Sequence, residues 1–306
     1  MDNYNIIKSK INEKLIFKLS QIGYALSCDI LFTTRIPSII QDVELVNNLK
    51  TGNKIFISLI SNELTINLHR LVEILTNNNV KVYFYLMYEP IVPYKIIELL
   101  YPVALGFFIN NNVYDDKLIH NMPIGIRDCG NVVCNHKGFS HNSLFEEKLN
   151  KVIKEYMCLM VFSYTHNERY RCYGELKDKS FVINLNDRQY DRQLSTLYGK
   201  VPIKINYEYT HKSIYTLSPR GAGEDCHRFY EAIYLDSIPI VKRTNTVFDK
   251  LYNMFPCLIV NDWNEVTQEL LIEKKEECLQ KLIYFKNTYP NFFTSIDNHN
   301  EILENI

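Results

Sequence analysis

The sequence predicts an α/β protein built from two parallel-sheet domains, and three observations predict it. Short, continuously apolar runs alternate with segments of helical periodicity along most of the chain, the signature of βαβ units. The length, 306 residues, suits two units of about 150 residues, each large enough for its own core. In the second half, residues 218–241, SPRGAGEDCHRFYEAIYLDSIPIV, read as loop, helix and buried strand in one pass.

Taken in order, residues 4–24 carry helical periodicity through Ile6, Ile7, Ile11, Leu15, Ile16, Leu19 and Ile22. Strands are expected at 28–32, 54–60, 82–88 and 104–109, with helices at 65–77 and from 93 to about 100 between them. The Asn triplets at 77–79 and 110–112 are loop material, and the polar stretch 130–143 is a linker or cleft loop. This divides the chain into domains 1–143 and 144–306. A helix over 144–156 and a strand over 157–162 open the second series. A polar loop and a helix carrying Arg169 and Arg171 follow, then strands at 180–184 and 213–217. After the stretch 218–241 come a helix at 248–255, a strand at 257–260, a helix start at Trp263 with that residue as packing anchor, and a helix over 264–287.

Composition bounds the function. Hydrophobic residues make up 46% and charged residues 23%, ordinary for a globular protein, and a formal net charge of −1 argues against a nucleic-acid or membrane-surface binder acting through bulk charge. The N-terminus is charged and lacks the apolar core of a signal peptide, and no run approaches the ~18 apolar residues of a membrane span. The expected location is therefore the cytoplasm. The eight cysteines form no C-x-x-C and no metal-ligand spacing, so they are expected as free thiols with no metal bound.

Within 218–241, Ser218, Pro219, Gly221 and Gly223 are turn residues and Asp225 stands as N-cap of the helix that follows. Phe229, Ala232 and Ile233 recur at helical spacing, while Arg228 and Glu231 sit three apart on another face, off the core side. Residues 238–241 have the continuous apolarity of a strand buried on both faces, with Pro239 arguing for an edge-like or early position. A loop opening a helix presents unpaired N–H groups and the positive end of the helix dipole, which makes it an anion site. An arginine in that first turn suits a phosphate, and a carboxylate one turn on suits the hydroxyl pair of a ribose. The same spacing also fits an ordinary capped helix with a surface Arg–Glu pair.

The stretch resembles the donor-binding segment of exostosin-like glycosyltransferases, whose pattern runs S-P-x-G-x-x-x-D-x-x-R-x-x-E-A and ends in I-P-V. Ser218, Pro219, Gly221, Asp225, Arg228, Glu231, Ala232, Ile238 and Pro239 match it. The departure is Asp236-Ser237, where the family has Gly-Cys or Gly-Ala, which weakens the helix C-cap. The resemblance implies a GT-B fold, two Rossmann-like domains facing a cleft, with the donor on the second. It implies transfer of a sugar from a nucleoside-diphosphate donor, a UDP-sugar, to a glycan hydroxyl, inverting and without a metal. The nucleotide sugar is a co-substrate, and no further cofactor is implied. A fucosyltransferase-like enzyme using GDP-fucose, or a catalytically silent nucleotide-sugar-binding module, fits the same segment.

In an open α/β sheet, ligands collect at the carboxyl ends of the strands. Ser163, Thr165, His166, Asn167 and Arg169 therefore join Ser218, Arg220, Gly221, Gly223, Asp225, Arg228 and Glu231 as candidate donor-binding residues. No D-x-D triplet occurs, so the leaving diphosphate is expected to be stabilised by a helix N-terminus and cationic groups, with Arg228 the catalytic one. The general base belongs to the first domain. Glu89, at a carboxyl strand end, is preferred to Asp29, at the opposite end, and to His136 and His141 in the cleft loop.

Overall fold

The computed structural model describes residues 23–24, 27–33, 46–58, 64–87, 91–127, 144, 147–188 and 201–293. The expected α/β class is present as two separate five-stranded parallel sheets. The domain boundary drawn at 143/144 and the helix read over 4–24 lie at or largely in residues outside those described.

The first sheet consists of β1 (Ile30–Thr33), β2 (Lys54–Ser58), β3 (Val82–Met87), β4 (Ala104–Ile109) and β5 (Ile119–Asn121), paired in that order. Between them run α1 (Leu64–Asn77) and α2 (Tyr94–Leu100). Because parallel crossovers are right-handed, a sequential strand order puts successive connections on one face. Leu68, Leu71 and Leu75 of α1 and Ile96, Ile97 and Leu100 of α2 accordingly pack in one core with Val82, Phe84 and Leu86. The alternate residues Tyr85 and Met87 point the other way, as the period of two requires. There they join Met122, Ile124 and Ile126 and the core of the second sheet. β5 has no counterpart in the sequence reading: three residues are too few to show a period, and the edge of a sheet already formed recruits them.

The second sheet consists of β6 (Tyr156–Met160), β7 (Val182–Asn184), β8 (Ser213–Leu217), β9 (Ile238–Lys242) and β10 (Leu258–Val260), in the order β10-β9-β8-β6-β7. Its helices are α3 (Asn167–Leu176), α4 (Ile203–Lys212), α5 (His227–Tyr234), α6 (Asp249–Asn253) and α7 (Gln268–Thr288). The chain winds outward from β6 to β7 and then returns to β8 on the other side of β6. The loops after β6 and β8 therefore diverge at a topological switch point, where α/β sheets bind ligands.

One expectation is corrected, one element is new and one alternative is decided. The helix over 144–156 does not extend to its end, for residues 151–155 lead into β6 without helix. The helix α4 is not legible in the sequence, because Tyr, Thr, Asn and His dilute its periodicity. Of the two positions open to Pro239 the edge is excluded, since β8 and β10 flank β9, and the early one holds, Pro239 being second in the strand. Pro239 leaves the ladder intact because Ser218 N donates to Ile240 O, so residue 240 faces β8 and Pro239 faces the β10 side. Pairing with β10 begins only at Ile240, and the missing N–H interrupts nothing.

Candidate functional site

The organising stretch folds as loop, helix and strand, with Phe229, Ala232 and Ile233 fully buried on the sheet. Its ionisable residues are placed differently from the expectation. The N-cap of α5 is Cys226, and no side chain caps the helix. Asp225 lies one residue earlier, buried between the two sheets. Its carboxylate accepts hydrogen bonds from Ile124 N (2.8 Å), Cys226 N (2.8 Å) and Tyr230 Oη (2.6 Å), and its own N–H donates to Asn111 Oδ1 at 2.7 Å. Burial pushes the Asp225 carboxyl up to about 7, against those three donors. Asp225 thus fastens the exit of the first sheet to the start of α5.

Asn111 completes that junction. It is 1% exposed and adopts φ 54°, a left-handed conformation that Asn tolerates. A Cβ on Gly223 would lie 2.3 Å from its side chain, so only glycine admits Asn111 here. His227 adds a contact from Nδ1 to Gly125 O at 2.8 Å. The Asn triplet read as loop material is therefore a buried joint between the halves of the molecule.

Arg169 is buried as well. Its Nε donates to Arg220 O (3.0 Å) and one terminal nitrogen to Ser163 O (2.9 Å) and Ser163 Oγ (3.3 Å). It thereby staples the loop after β6 to the loop after β8 across the switch point. Gly221 allows the close approach, for a Cβ there would meet the guanidinium at 2.9 Å and Thr165 Oγ1 at 3.9 Å. Thr165 and Asn167 are exposed beside it. His166 is the N-cap of α3, accepting from Glu168 N at 3.2 Å, and burial followed by the charge of Arg220 pulls its imidazole below the usual value.

Arg228 is the exception among these cations. Its guanidinium stacks over Phe162, 5.9 Å from the ring centre, and its Nε is sealed from solvent without an acceptor. Among the described residues the side chain makes no hydrogen bond or ion pair. Burial, then the neighbouring charge of Arg169, hold its pKa below the ordinary value, while Glu231 opposes the shift. The helical spacing puts Glu231 off the core side, but it is only 5% exposed, because α4 covers it: Tyr207 Oη donates to it at 3.3 Å.

A cleft of about 300 Å³ opens beside the stapled loops. Ser218 and Arg220 line it together with His166 and Glu168 of the α3 start, Glu224, Lys242 at the end of β9, and Arg243, Thr244 and Asn245 after it. Most of these carry no sequence motif. Lys242 and Arg243 follow the apolar run directly, which is the one local signal that they stand at a carboxyl strand end. Trp263 is the expected packing anchor, fully buried, and its indole N–H also donates to Glu168 Oε2 at 3.2 Å.

Two comparisons with known proteins are negative: no family model matches the sequence, and no curated protein matches it. Among solved structures, the chain is similar to one described as trehalose-6-phosphate from E. coli bound with UDP-2-fluoro glucose. The identity is 12% and the TM-score 0.41, over 83% of this chain and 76% of that one.

Glu89, the preferred base, and His136 and His141 lie outside the described residues. Asp29 is exposed at the amino end of the first sheet, where it accepts from Lys54 N at 2.7 Å. Among the described residues no three His, Cys, Asp or Glu side chains are grouped to hold a metal, and no helix is long and apolar enough to cross a membrane. Cys28, Cys158, Cys172, Cys226, Cys257 and Cys278 are free and buried.

Proposed function

We propose that the protein is a glycosyltransferase that binds a nucleoside-diphosphate sugar at the switch point of the second sheet and transfers the sugar to an acceptor hydroxyl. The observation that carries this is Arg228, a cation in the first turn of α5 with no protein acceptor among the described residues. Holding a partly desolvated guanidinium without an anion is unfavourable. An anionic ligand removes that cost, and the helix N-terminus adds its own N–H groups and dipole.

In this mechanism Arg228 contacts the diphosphate and stabilises the charge that grows as the bond to the sugar breaks. Arg169 acts differently: bound to Ser163 O and Arg220 O, it holds the two loops in register. Glu231 supports the charge of Arg228 from within the helix. The donor belongs to residues 144–306, and residues 1–143 supply the acceptor side and the base, with Glu89 as first choice. The resemblance of 218–241 to exostosin-like enzymes favours a UDP-sugar, inversion and a reaction without metal.

The test is a transfer and donor-hydrolysis assay over UDP-sugars and GDP-fucose, with Arg228→Ala beside the wild type. The expected result is turnover with one UDP-sugar, reduced by about 10²–10³ in the variant with its unfolding midpoint unchanged. Nucleotide binding without turnover would make the protein a silent binding module, and equal activity in both proteins would remove Arg228 from the mechanism.

A further inference from the structure

The first half of the molecule meets the amino end of α5 through residues 122–127. Met122, Ile124 and Ile126 are buried in the core of the second sheet. Between these anchors the backbone is held to the helix start at two points: Ile124 N donates to Asp225 Oδ2 at 2.8 Å, and His227 Nδ1 lies 2.8 Å from Gly125 O. Gly125 adopts φ 71°, a conformation at which glycine carries no steric cost. Arg127 follows Ile126 directly and is half-buried, with its Nε shut off from solvent. Residues 124–127 thus run beside residues 225–228, and each run ends in an arginine.

The two arginines feel one another. Burial is the largest influence on the Arg228 guanidinium, and after it the charges of Arg169 and Arg127 both work against its protonated form, opposed by Cys226 and Glu231. Arg228 therefore sits where cations converge from three separate segments, the loop after β5, α3 and α5 itself. Arg169 is fixed by the carbonyls of Ser163 and Arg220, dipoles that set its position and leave its charge in place. Like charges brought together under cover disfavour one another, and the same field attracts an anion to the point where they meet. A guanidinium is suited to that anion when it is a phosphate, because its planar fork matches the oxygens.

We propose, on the donor reading given above, that Arg127 is a further ligand-binding residue: carried in from the first half, it joins Arg228 on the donor's diphosphate, which thereby bridges the two halves of the molecule. The hydrogen bonds at Ile124 and Gly125 are what place it there.

The experiment is calorimetric titration of the full chain with inorganic pyrophosphate and with UDP, for wild type, Arg127→Met, Arg127→Lys and Arg228→Ala. Arg127→Met is expected to bind both ligands at least about tenfold more weakly than wild type, the worth of one hydrogen bond to a charged group. Its affinity should also fall less steeply with added salt, because one attracting cation is gone. A residue that only shapes the joint leaves that slope unchanged. Arg127→Lys keeps the charge without the fork and is expected to lie between the two; should Arg127→Met not fold, this variant decides. Wild-type affinity in the deciding variant, or weaker binding with the salt slope of the wild type, overturns the role of Arg127. No binding of pyrophosphate to the wild type at millimolar concentration overturns it too. Sugar transfer that requires Arg228, with affinity untouched by Arg127→Met, removes only this inference. Pyrophosphate binding that depends on Arg127, in a protein that transfers no sugar, removes only the donor reading and keeps Arg127 in a diphosphate site.

Discussion

At its amino end, α5 has Asp225 buried among three hydrogen-bond donors with no ion pair among the described residues, and Arg228 with no acceptor. At its carboxyl end the same helix has Asp236, which pairs with both Lys148 and Lys286 and lies 3.7 Å from His211 Nε2. Asp225 is pushed up to about 7 by burial. Asp236 is held far below the usual carboxylate range, because the pull of burial upward is overridden by His211, Lys286 and Lys148. Two acids flanking one helix thus have opposite electrostatics. The carboxyl end is self-satisfied and serves the fold. The amino end keeps a cation without an internal anion among the described residues, and it is there that we propose the ligand binds.

The contrast can be broken most directly by pH. The folded pKa of Asp225 lies above its unfolded value, so the folded state keeps a proton that the unfolded chain releases above about pH 4. Its contribution favours folding at low pH and is lost as the pH rises through 7, about 2.3 kcal/mol between pH 5 and pH 7. Urea unfolding across pH 5–8 should show this fall in the wild type and a slope smaller by one proton in Asp225→Asn. Equal slopes in the two proteins would mean that Asp225 is ionised in the fold and that the two ends do not differ.

A smaller effect is expected at the other end. Asp236→Ala leaves Lys148, Lys286 and His211 without their shared anion. Breaking a buried pair costs about 3–5 kcal/mol, but the Asp236 side chain is 38% exposed and solvent screens it, so about 2 kcal/mol is expected at pH 7. The folded pKa of Asp236 is held far below the unfolded value, so its stabilisation is complete above about pH 4, begins to decline below that and is lost only as the pH falls through the folded value. The cost of the substitution is therefore smaller at pH 3 than at pH 7 by about 1 kcal/mol. Denaturant midpoints at pH 7 and pH 3 check both statements. A loss of stability at pH 3 as large as at pH 7 would contradict the ion-pair explanation.

The smallest effect sharpens the comparison by separating charge from backbone. Asp236 adopts φ 60° at the C′ position of a Schellman motif, closed by Ser237 N donating to Ala232 O at 2.9 Å. Glycine is at ease there. Asp236→Gly should therefore be about 1 kcal/mol less destabilising than Asp236→Ala, the cost of a left-handed Cβ, measured as the difference of their unfolding free energies. The departure from the family's glycine is thus a C-cap whose strain is offset by ion pairs, and the helix ends no less sharply.

How much was legible depended on how local the cause was. The strands at 54–58, 82–87, 104–109 and 213–217 follow from side-chain periods that neighbours along the chain already carry. The loop, helix and strand of 218–241 were legible for the same reason, down to the buried face of Phe229, Ala232 and Ile233. The site was legible in part. Ser218 and Arg220 line the cleft and Arg228 keeps its charge open, while Glu168, Glu224, Lys242 and Arg243 carried no motif. Asp225 and Glu231 matched a motif but lie under cover supplied from elsewhere, Ile124 in one case and Tyr207 in the other.

Sequence alone determined the fold class, the order of most elements and the segment around which the second sheet is built, because periodicity, turn residues and breakers act within a few positions of one another. Only the tertiary structure decided which charges are satisfied. Asn111 meets Gly223, Arg169 meets the carbonyls of Ser163 and Arg220, and Lys286 meets Asp236 across separations that no local pattern encodes. An ionisable side chain has the same propensity whether or not a partner waits across the fold, and the free energy that tells the two apart is desolvation, which arises only when distant segments close over the group.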